Sequence, residues 1–333
     1  MITQYIGLDA HLSTCTFCVL DKDGNQIDYR KILTNGRLLV DYISSLGKHT
    51  AVAFEECSLS AWLFDILHKH VEEIIVCDPV ANRQYKRAKT DKLDAYNLAQ
   101  LLRGGFLKPV FHDGSKRERF RILVSAYEDT VIEIVRTRNR LTSIIRRFRA
   151  DRACSGSHQR DIEVIIRLSR EQLSSLLKIK KEYVECIVKT LRNFPESRLL
   201  TSIPGIGYIH AAKIISQVVD PRRFRTKYKF FAYCGLVRHP RISGGRCYGS
   251  RYIWGNRMLK CVFKMAAHSA IRGKNPLKEY SHGLLSRGLH PVAARNAVAR
   301  KIASLALALW RRRQKFNENR FWEKIIREKK EVF

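Results

Sequence analysis

The chain has 333 residues, of which 45% are hydrophobic, enough for two domains with sizeable cores. It carries 62 Lys and Arg against 31 Asp and Glu, which gives a formal net charge of +31. No run of 18 apolar residues occurs and no basic segment opens the N-terminus, so we expect neither a membrane protein nor a secreted one. Nine cysteines, an odd number scattered through apolar stretches, fit a reducing cytoplasm.

The positive charge is confined to the later part of the chain. Residues 1–112 contain 13 basic and 13 acidic residues, whereas residues 113–333 contain 49 and 18. Between residues 221 and 278 there are 15 basic residues and no acidic one. Charge of one sign repels itself within a folded domain, so we predict a polyanionic partner, with a merely soluble basic surface as the alternative.

Residues 1–112 predict an α/β domain. Apolar runs at 5–8, 14–20 and 26–33 indicate three strands in hairpin order, and the Asp-Lys-Asp-Gly-Asn turn separates the second from the third. Helical and strand patterns then alternate at 38–46, 51–54, 61–70, 74–77 and 91–102. This order indicates an α/β sheet with a mixed edge.

Four carboxylates stand out within this domain. Asp9 and Glu55 end the first and fourth strands, and Asp91 and Asp94 lie three residues apart on one helix face. Clustered carboxylates repel each other unless cations hold them, and hard oxygen ligands suit Mg²⁺ or Mn²⁺, which support phosphodiester chemistry. We therefore predict a metal site, although each acid alone also fits a cap or surface role. Glu56 is the alternative to Glu55, which we choose because it directly follows the apolar run.

Residues 113–196 predict a helical linker. Apolar residues from 120 to 148 follow three- and four-residue spacings typical of a coiled-coil seam, which resume from 173 to 191 after a polar break at 151–158. We expect a helical hairpin that packs on itself or dimerises. Its outward face carries Arg146, Arg147 and Arg149, which we predict to follow a phosphate backbone, with a solvated face as the equal alternative.

Residues 197–333 predict a mostly helical domain. Pro204, Gly205 and Gly207 precede an apolar helix at 209–219, which indicates a helix–hairpin–helix element whose backbone N–H groups bind phosphate. An ordinary tight turn is the alternative.

Further along, Ser243 lies in a glycine-rich loop flanked by Arg241 and Arg246, which with Arg251 are candidate phosphate ligands. A serine is a weak nucleophile unless its surroundings activate it, so a loop serine of this kind is more often structural. Tyr248 is an alternative nucleophile.

Five short sequence segments carry these candidate residues along the chain. They are Tyr5-Ile6-Gly7-Leu8-Asp9, Phe54-Glu55, Lys89-Thr90-Asp91-Lys92-Leu93-Asp94-Ala95, Ile203-Pro204-Gly205-Ile206-Gly207, and Phe231-Ala232-Tyr233-Cys234-Gly235-Leu236 leading to Ser243-Gly244. On these residues the chain resembles, nearly end to end, the DEDD-type insertion-sequence transposases of the IS one-ten family. It resembles the Piv-type DNA invertases more distantly. Glu56-Cys57 after the glutamate, and Gly245 and Cys247 in the serine loop, depart from the family pattern.

The resemblance implies a RuvC-like, RNase H-type domain at 1–112, a helical coiled-coil linker at 113–196 and a transposase domain at 197–333. It implies that Asp9, Glu55, Asp91 and Asp94 bind Mg²⁺, and that Ser243 attacks DNA to form a covalent phosphoserine link. The implied partners are donor and target DNA, a noncoding bridge RNA, and further copies of the chain in a dimer or tetramer.

We therefore predict a site-specific DNA recombinase that cuts, covalently holds and rejoins strands. One alternative is a junction-resolving metal nuclease in which Ser243 is structural. A Piv-like invertase, and a non-enzymatic nucleic-acid binder on an inactive scaffold, are the others.

Overall fold

The computed structural model describes residues 1–80, 90–114, 116–151, 159–252 and 255–323, which fall into two compact units, Met1–Arg119 and Phe120–Phe333. The first unit is a mixed α/β domain and the second is mostly helical, so the predicted fold class is confirmed at this level. The helices that we predicted as a linker belong to the second unit. The three-way division at residues 112 and 196 stays a prediction.

The first unit is built on five strands and three helices. The strands are β1 (Gln4–Ala10), β2 (Thr14–Asp21), β3 (Gln26–Leu33), β4 (Thr50–Glu55) and β5 (Glu73–Cys77). The helices are α1 (Gly36–Ser45), α2 (Ser60–Leu67) and α3 (Asp91–Arg103). All eight elements occupy segments that the hydrophobic pattern predicted.

The sheet has the strand order β3-β2-β1-β4-β5. The hairpins β1–β2 and β2–β3 are antiparallel, whereas β4 runs parallel to β1 and β5 runs parallel to β4. Asp21 fixes the turn before β3, because its carboxylate accepts hydrogen bonds from the backbone N–H groups of Asp23 and Asn25 at 2.9 and 2.8 Å.

Helices cover both faces of this sheet. On one face, Leu8, Phe17 and Phe54 pack in a cluster with residues of α1 and α2. On the other face, Ala53 packs with residues of α3, and Cys18 and Leu20 of β2 do the same. Gly7 lets α3 come this close to β1, because a Cβ at Gly7 would stand only 1.9 Å from the carbonyl oxygen of Ala95.

The second unit contains eight α-helices and one two-stranded sheet among its described residues. The helices are α4 (Lys116–Asp151), which begins shortly before the boundary, α5 (Gln159–Leu191), α6 (Glu196–Leu200), α7 (Tyr208–Val218), α8 (Lys227–Tyr233), α9 (Arg257–Arg272), α10 (Pro276–Leu285) and α11 (Pro291–Arg312). The strands are β6 (Arg238–Ser243) and β7 (Arg246–Tyr252). In the described part of the chain, no helix is both long and apolar enough to cross a membrane.

One hydrophobic core holds the second unit together. The alanine-rich face of α11 is buried against α9, and Phe120 and Val124 of α4 join the same cluster as Ile187 of α5. The rings of Phe120 and Phe194 lie 5.2 Å apart, while the far ends of α4 and α5 meet around Phe148 and Ile166. Within this unit α4 and α5 form a helical hairpin, and residues 152–158 of the predicted polar break lie outside the described residues. Whether it serves as a linker stays a prediction.

Candidate active site and nucleic-acid interface

Two of the predicted acids end neighbouring strands of the sheet. Leu8 of β1 stands opposite Phe54 of β4 in parallel register, so Asp9 and Glu55 follow side by side. Side chains alternate along a strand, so Asp9 and Glu55 share the α3 face with Gly7 and Ala53.

The other two acids lie in the first turn of α3. Thr90 caps this helix, since its side-chain oxygen accepts a hydrogen bond of 3.2 Å from the backbone N–H of Leu93. The positive end of the helix dipole favours Asp91 and Asp94 at this position. Lys89, which begins the motif, lies outside the described residues.

Three side chains come together where β1 and α3 meet. One ligand atom each of Asp9, His11 and Asp91 lies within 4.8 Å of the others. Nε2 of His11 is 3.0 Å from Oδ2 of Asp9 and 3.8 Å from Oδ1 of Asp91. Nζ of Lys31 is 2.9 Å from Oδ2 of Asp91. His11 and Lys31 were not predicted, and Lys31 places a positive charge against Asp91.

Electrostatics at this site favour a cation. Burial raises the pKa of Asp9, the His11 contact lowers it, and the charges of Asp91 and Asp94 raise it again. The hydrogen bond from Lys31 holds the pKa of Asp91 below its usual value. The carboxylate oxygens of the half-buried Asp9 and Asp91 are hard donors that repel each other, and such donors fit Mg²⁺ or Mn²⁺.

The structure separates Glu55 from its neighbour Glu56. Oε2 of Glu56 lies 2.8 Å from Nε2 of His112, whose side chain is buried. Glu55 pairs in register with Cys77, and burial together with the Glu55 charge raises the pKa of that thiol to about 12. Glu55 therefore lies on the α3 face and Glu56 is paired with His112, but the metal-ligating cluster of the described residues comprises Asp9, His11 and Asp91 without Glu55. Glu55 as a metal ligand stays a prediction.

Ser243 lies at the tip of a β-hairpin, where we predicted a loop. Ser243 pairs with Arg246, and the two residues between them, Gly244 and Gly245, have φ values of 53° and 74°. A two-residue turn with both φ values positive matches the twist of a hairpin, which explains the two glycines. Every residue of β6 is exposed.

The predicted arginines gather on the Ser243 face of this hairpin. Arg246 stands directly opposite Ser243, and Arg251 stands opposite His239. Arg241 and His239 lie two and four residues before Ser243 on β6, so alternation puts them on the same face. The register shifts between Pro240 and Ile242, and Gly249, in the facing part of β7, has a φ of 102°. The result is a basic surface around an exposed hydroxyl.

Nothing in the described chain activates this serine. The Ser243 hydroxyl has no hydrogen-bond partner among the described residues. Tyr248, the alternative nucleophile, is also exposed, at 67%. A seryl nucleophile needs a base or a cation close by, so the hairpin by itself is an incomplete site.

The predicted helix–hairpin–helix element joins α6 to α7. Gly205 has a φ of 91°, and a Cβ there would stand 2.2 Å from the carbonyl oxygen of Ala266 in α9. Gly207 is exposed, and a Cβ added to it would meet no atom within 4 Å. Gly205 therefore serves packing, whereas Gly207, at the start of α7, is open to a ligand. Pro204 lies half-buried beside them.

A groove of about 490 Å³ runs next to this element. Its lining residues come from α5, α6, α7 and the segment after α11: Val188, Leu191, Arg192, Ser197, Arg198, Thr201, Ser202, Tyr208 and Lys315. Arg192, Arg198 and Lys315 form no ion pair with a described residue, and the lining contains no acid. We call this feature the basic groove.

Of the remaining predicted ligands, Arg146 and Arg147 are exposed on α4 as expected, and the side chain of Arg149 lies outside the described part of the structure.

Two family models match the chain. A model of DEDD transposases of IS110, described as a transposase, matches residues 6–149. A second, described as the transposase IS116/IS110/IS902 family, matches residues 197–282. Together they take in more than two thirds of the chain, including all four acids and the Ser243 hairpin.

The chain belongs to the IS110 family of transposases.

Curated relatives agree with this assignment. The protein named "Putative transposase y4pF/y4sB" of Sinorhizobium fredii is 26% identical over 78% of this chain and 72% of its own length. An insertion element IS116 protein of Streptomyces clavuligerus is 27% identical over 39% of this chain and 33% of its own. An insertion element IS110 protein of Streptomyces coelicolor is 25% identical over 45% of this chain and 37% of its own.

The IS110-family transposase is thus an enzyme of a class that cleaves and rejoins DNA. The structure brings Asp9 and Asp91 together and puts Asp94 close enough to raise the pKa of Asp9. His11 was detectable from sequence only by its position two residues after Asp9, and nothing in the sequence pointed to Lys31. The catalytic and binding roles of all these residues stay predictions.

Proposed function

We propose that this transposase cuts and rejoins DNA strands through a covalent link to Ser243, and that Asp9, Glu55, Asp91 and Asp94 hold the divalent cation that the reaction needs. The observation that carries the proposal is the convergence of Asp9, Asp91 and His11 at one end of a mixed sheet whose strand order agrees with the RNase H-type fold. The exposed serine in a basic hairpin supports the second half of the proposal.

In the proposed reaction the Ser243 Oγ attacks the phosphorus of a DNA phosphodiester. The Oγ–P bond forms, the bond from phosphorus to one deoxyribose oxygen breaks, and the serine proton passes to that departing oxygen. In the second step a deoxyribose hydroxyl of another strand attacks the same phosphorus. The new O–P bond forms, the Oγ–P bond breaks, and the proton of the attacking hydroxyl passes to the Ser243 Oγ. Both steps are transesterifications, so the bond energy is conserved and no external energy source is required.

Charged residues of the chain prepare this step. Arg241, Arg246 and Arg251 neutralise the phosphate around Ser243, because guanidinium groups pair with phosphate oxygens in a fixed fork geometry. A bound Mg²⁺ or Mn²⁺ would lower the charge on the reacting phosphate and stabilise the oxygens that attack and leave. Asp9, Glu55, Asp91 and Asp94 offer the carboxylate oxygens that such an ion prefers.

DNA and a bridge RNA are the proposed partners. The exposed basic side chains are spread over the hairpin, the basic groove and α4 and are not collected on one short helix, as they would be on a recognition helix. Such a surface holds nucleic-acid backbones by shape and charge. We therefore propose that base pairing with a bridge RNA, and not side-chain contacts, selects the donor and target sequences.

A dimer or tetramer is the proposed assembly. The helix α5 exposes five large apolar side chains, Val164, Ile165, Leu168, Leu177 and Ile179, each between 42% and 51% accessible. At 100° per residue, Val164, Ile165, Leu168 and Ile179 fall on one face of the helix, about 100° wide, and Leu177 lies off it. Exposed apolar side chains that share a helix face are typical of a surface that another protein chain covers.

The test is a covalent-adduct assay with full-length protein, Mg²⁺ and a nicked DNA substrate that traps the intermediate. Ser243→Ala should abolish the protein–DNA adduct and leave DNA affinity nearly unchanged, since one neutral hydroxyl adds little to a charge-dominated affinity. Ser250→Ala, in the same hairpin, is the matched control and should form the adduct normally. An adduct formed by Ser243→Ala would move the nucleophile to Tyr248 or Ser250.

The same assay separates a second candidate function. Because no described residue activates Ser243, the carboxylates could instead direct water at the phosphate, as in a junction-resolving nuclease. That enzyme would cleave DNA in Mg²⁺ without any covalent adduct, and Ser243→Ala would cleave at the normal rate.

A further inference from the structure

A buried hydroxyl lies next to the carboxylate site and has no partner. Thr16 belongs to β2, in which six consecutive residues, 15–20, are buried. Among these six, Thr16 alone carries a hydroxyl. Its side chain is fully buried, and its Oγ1 forms no hydrogen bond with any described residue. A buried polar group without a partner costs folding free energy, so its presence calls for a ligand that the protein alone does not supply.

The strand register directs Thr16 to the site. Thr16 stands directly opposite Asp9 of β1 on one side and opposite Lys31 of β3 on the other. Residues opposite each other in antiparallel strands share a face, with Cβ atoms about 4.5–5.5 Å apart. That face is the α3 face, because Cys18, two residues further along β2, packs against Ala95 and Ala99 of α3.

Lys31, Thr16 and Asp9 therefore form a row across β3, β2 and β1, on the sheet face that carries the carboxylate site. Asp91 closes the row from above, since Lys31 reaches its carboxylate at 2.9 Å and His11 lies between Asp91 and Asp9. The two ends of the row are charged groups that already have partners, while the middle hydroxyl has none among the described residues.

We infer that Thr16 is a positioning residue, whose hydroxyl hydrogen-bonds to a water molecule of the hydration shell of the divalent cation. The inference rests on the proposed metal-dependent function. Mg²⁺ gives up its waters reluctantly and keeps several of them when bound to protein carboxylates. A hydroxyl can donate to or accept from such a water, and outer-sphere partners of this kind orient the ligands and strengthen binding.

The experiment measures Mn²⁺ binding to the full chain by the electron paramagnetic resonance signal of the free ion, and the melting temperature in chelator. Thr16→Val keeps the shape of the side chain and removes the hydroxyl. We expect its dissociation constant for Mn²⁺ to rise by about 10-fold or more, the usual effect of removing an outer-sphere partner. Its melting temperature in chelator should not fall, because the missing hydroxyl had no partner there.

Two further variants guard against a folding artefact. Thr16→Ser keeps the hydroxyl and removes a buried methyl group, so its melting temperature should fall while its Mn²⁺ affinity stays close to that of the unmodified chain. Thr14→Val makes the same change two residues earlier on the same face and should alter neither quantity.

Normal Mn²⁺ binding by Thr16→Val, beside abolished binding by Asp9→Asn, would overturn the inference and leave the metal site standing. A fall in Mn²⁺ affinity in Thr16→Ser as large as in Thr16→Val would also overturn it, because packing would then be the cause. Normal Mn²⁺ binding by Asp9→Asn would instead refute the proposed metal-dependent function itself.

Discussion

Gly7 sets the distance between β1 and α3, and we expect Gly7→Ala to displace α3 and so disrupt the carboxylate site that Asp9 and Asp91 form. A Cβ at Gly7 would stand 1.9 Å from the carbonyl oxygen of Ala95 and 2.5 Å from the backbone nitrogen of Ala99. Both obstacles are backbone atoms, so no side-chain rotation relieves the overlap. The helix must move outward by about 1 Å before the shortest contact reaches the 3.0 Å that real Cβ atoms keep.

This movement has two measurable effects. Overpacking of this kind costs about 1–3 kcal/mol, which corresponds to a fall in Tm of roughly 3–12 °C. Because α3 carries Asp91 and Asp94 in its first turn, the same shift separates them from Asp9. A displacement of about 1 Å at a catalytic centre can reduce the rate by roughly 100-fold.

Calorimetry, Mn²⁺ titration and a strand-cleavage assay on the full chain test this prediction. Gly36→Ala is the matched control, because its Cβ would meet Trp62 at an ordinary 3.4 Å and should change none of the three readings appreciably. If Gly7→Ala melts at the normal temperature and binds Mn²⁺ normally, the close approach of α3 to β1 does not position the acids.

Three further predictions concern the acids, the hairpin element and the basic groove. In chelator at neutral pH, Asp9→Asn should melt no lower than the unmodified chain, because burial raises the pKa of Asp9 and its ionised form opposes folding above that pKa; strand cleavage should fall by orders of magnitude. Asp21→Asn should instead melt at a lower temperature than the unmodified chain at neutral pH, since hydrogen bonds to the ionised carboxylate lower the pKa of Asp21. This stabilisation of the turn is lost as the pH falls through that pKa. Gly205→Ala should cost about 2–4 kcal/mol in thermal unfolding, from the positive φ and the overlap with Ala266, whereas Gly207→Ala should cost less than about 1 kcal/mol. Arg198→Ala with Lys315→Ala should weaken DNA binding in a salt titration and flatten the slope by roughly 0.9 for each phosphate that is no longer neutralised. Arg37→Ala, in the segment 1–112 that has no net charge, should change neither.

Each of these has a result that contradicts it. A Gly205→Ala variant that folds normally but no longer binds DNA would restore Gly205 as a phosphate ligand. An unchanged salt slope after both groove substitutions would remove the basic groove from the interface. A lower Tm for Asp9→Asn in chelator would mean that the His11 contact outweighs the burial of the Asp9 charge.

The local pattern of the sequence was sufficient for the elements of the first unit. Alternating and helical periodicities depend on neighbouring residues, so the strands, the turn at Asp21 and the helix that begins at Asp91 could all be read directly. The four acids were found in the same way, because each follows an apolar strand or opens a helix. In the second unit, the same periodicity predicted the long helices but gave the serine segment as a loop. The two positive-φ glycines instead close a hairpin.

Tertiary structure decided which residues accompany the acids. Thr16 and Lys31 reach the site only through the register of β2 and β3, and a change of one residue in that register would turn both side chains to the other face. Gly205 looked like a phosphate ligand by its spacing, but its backbone faces α9, which is more than 50 residues later in the chain. The sequence alone singled out the four carboxylates, and their role stays a prediction. The neighbours that tune them come from pairing between distant segments, which local patterns do not encode.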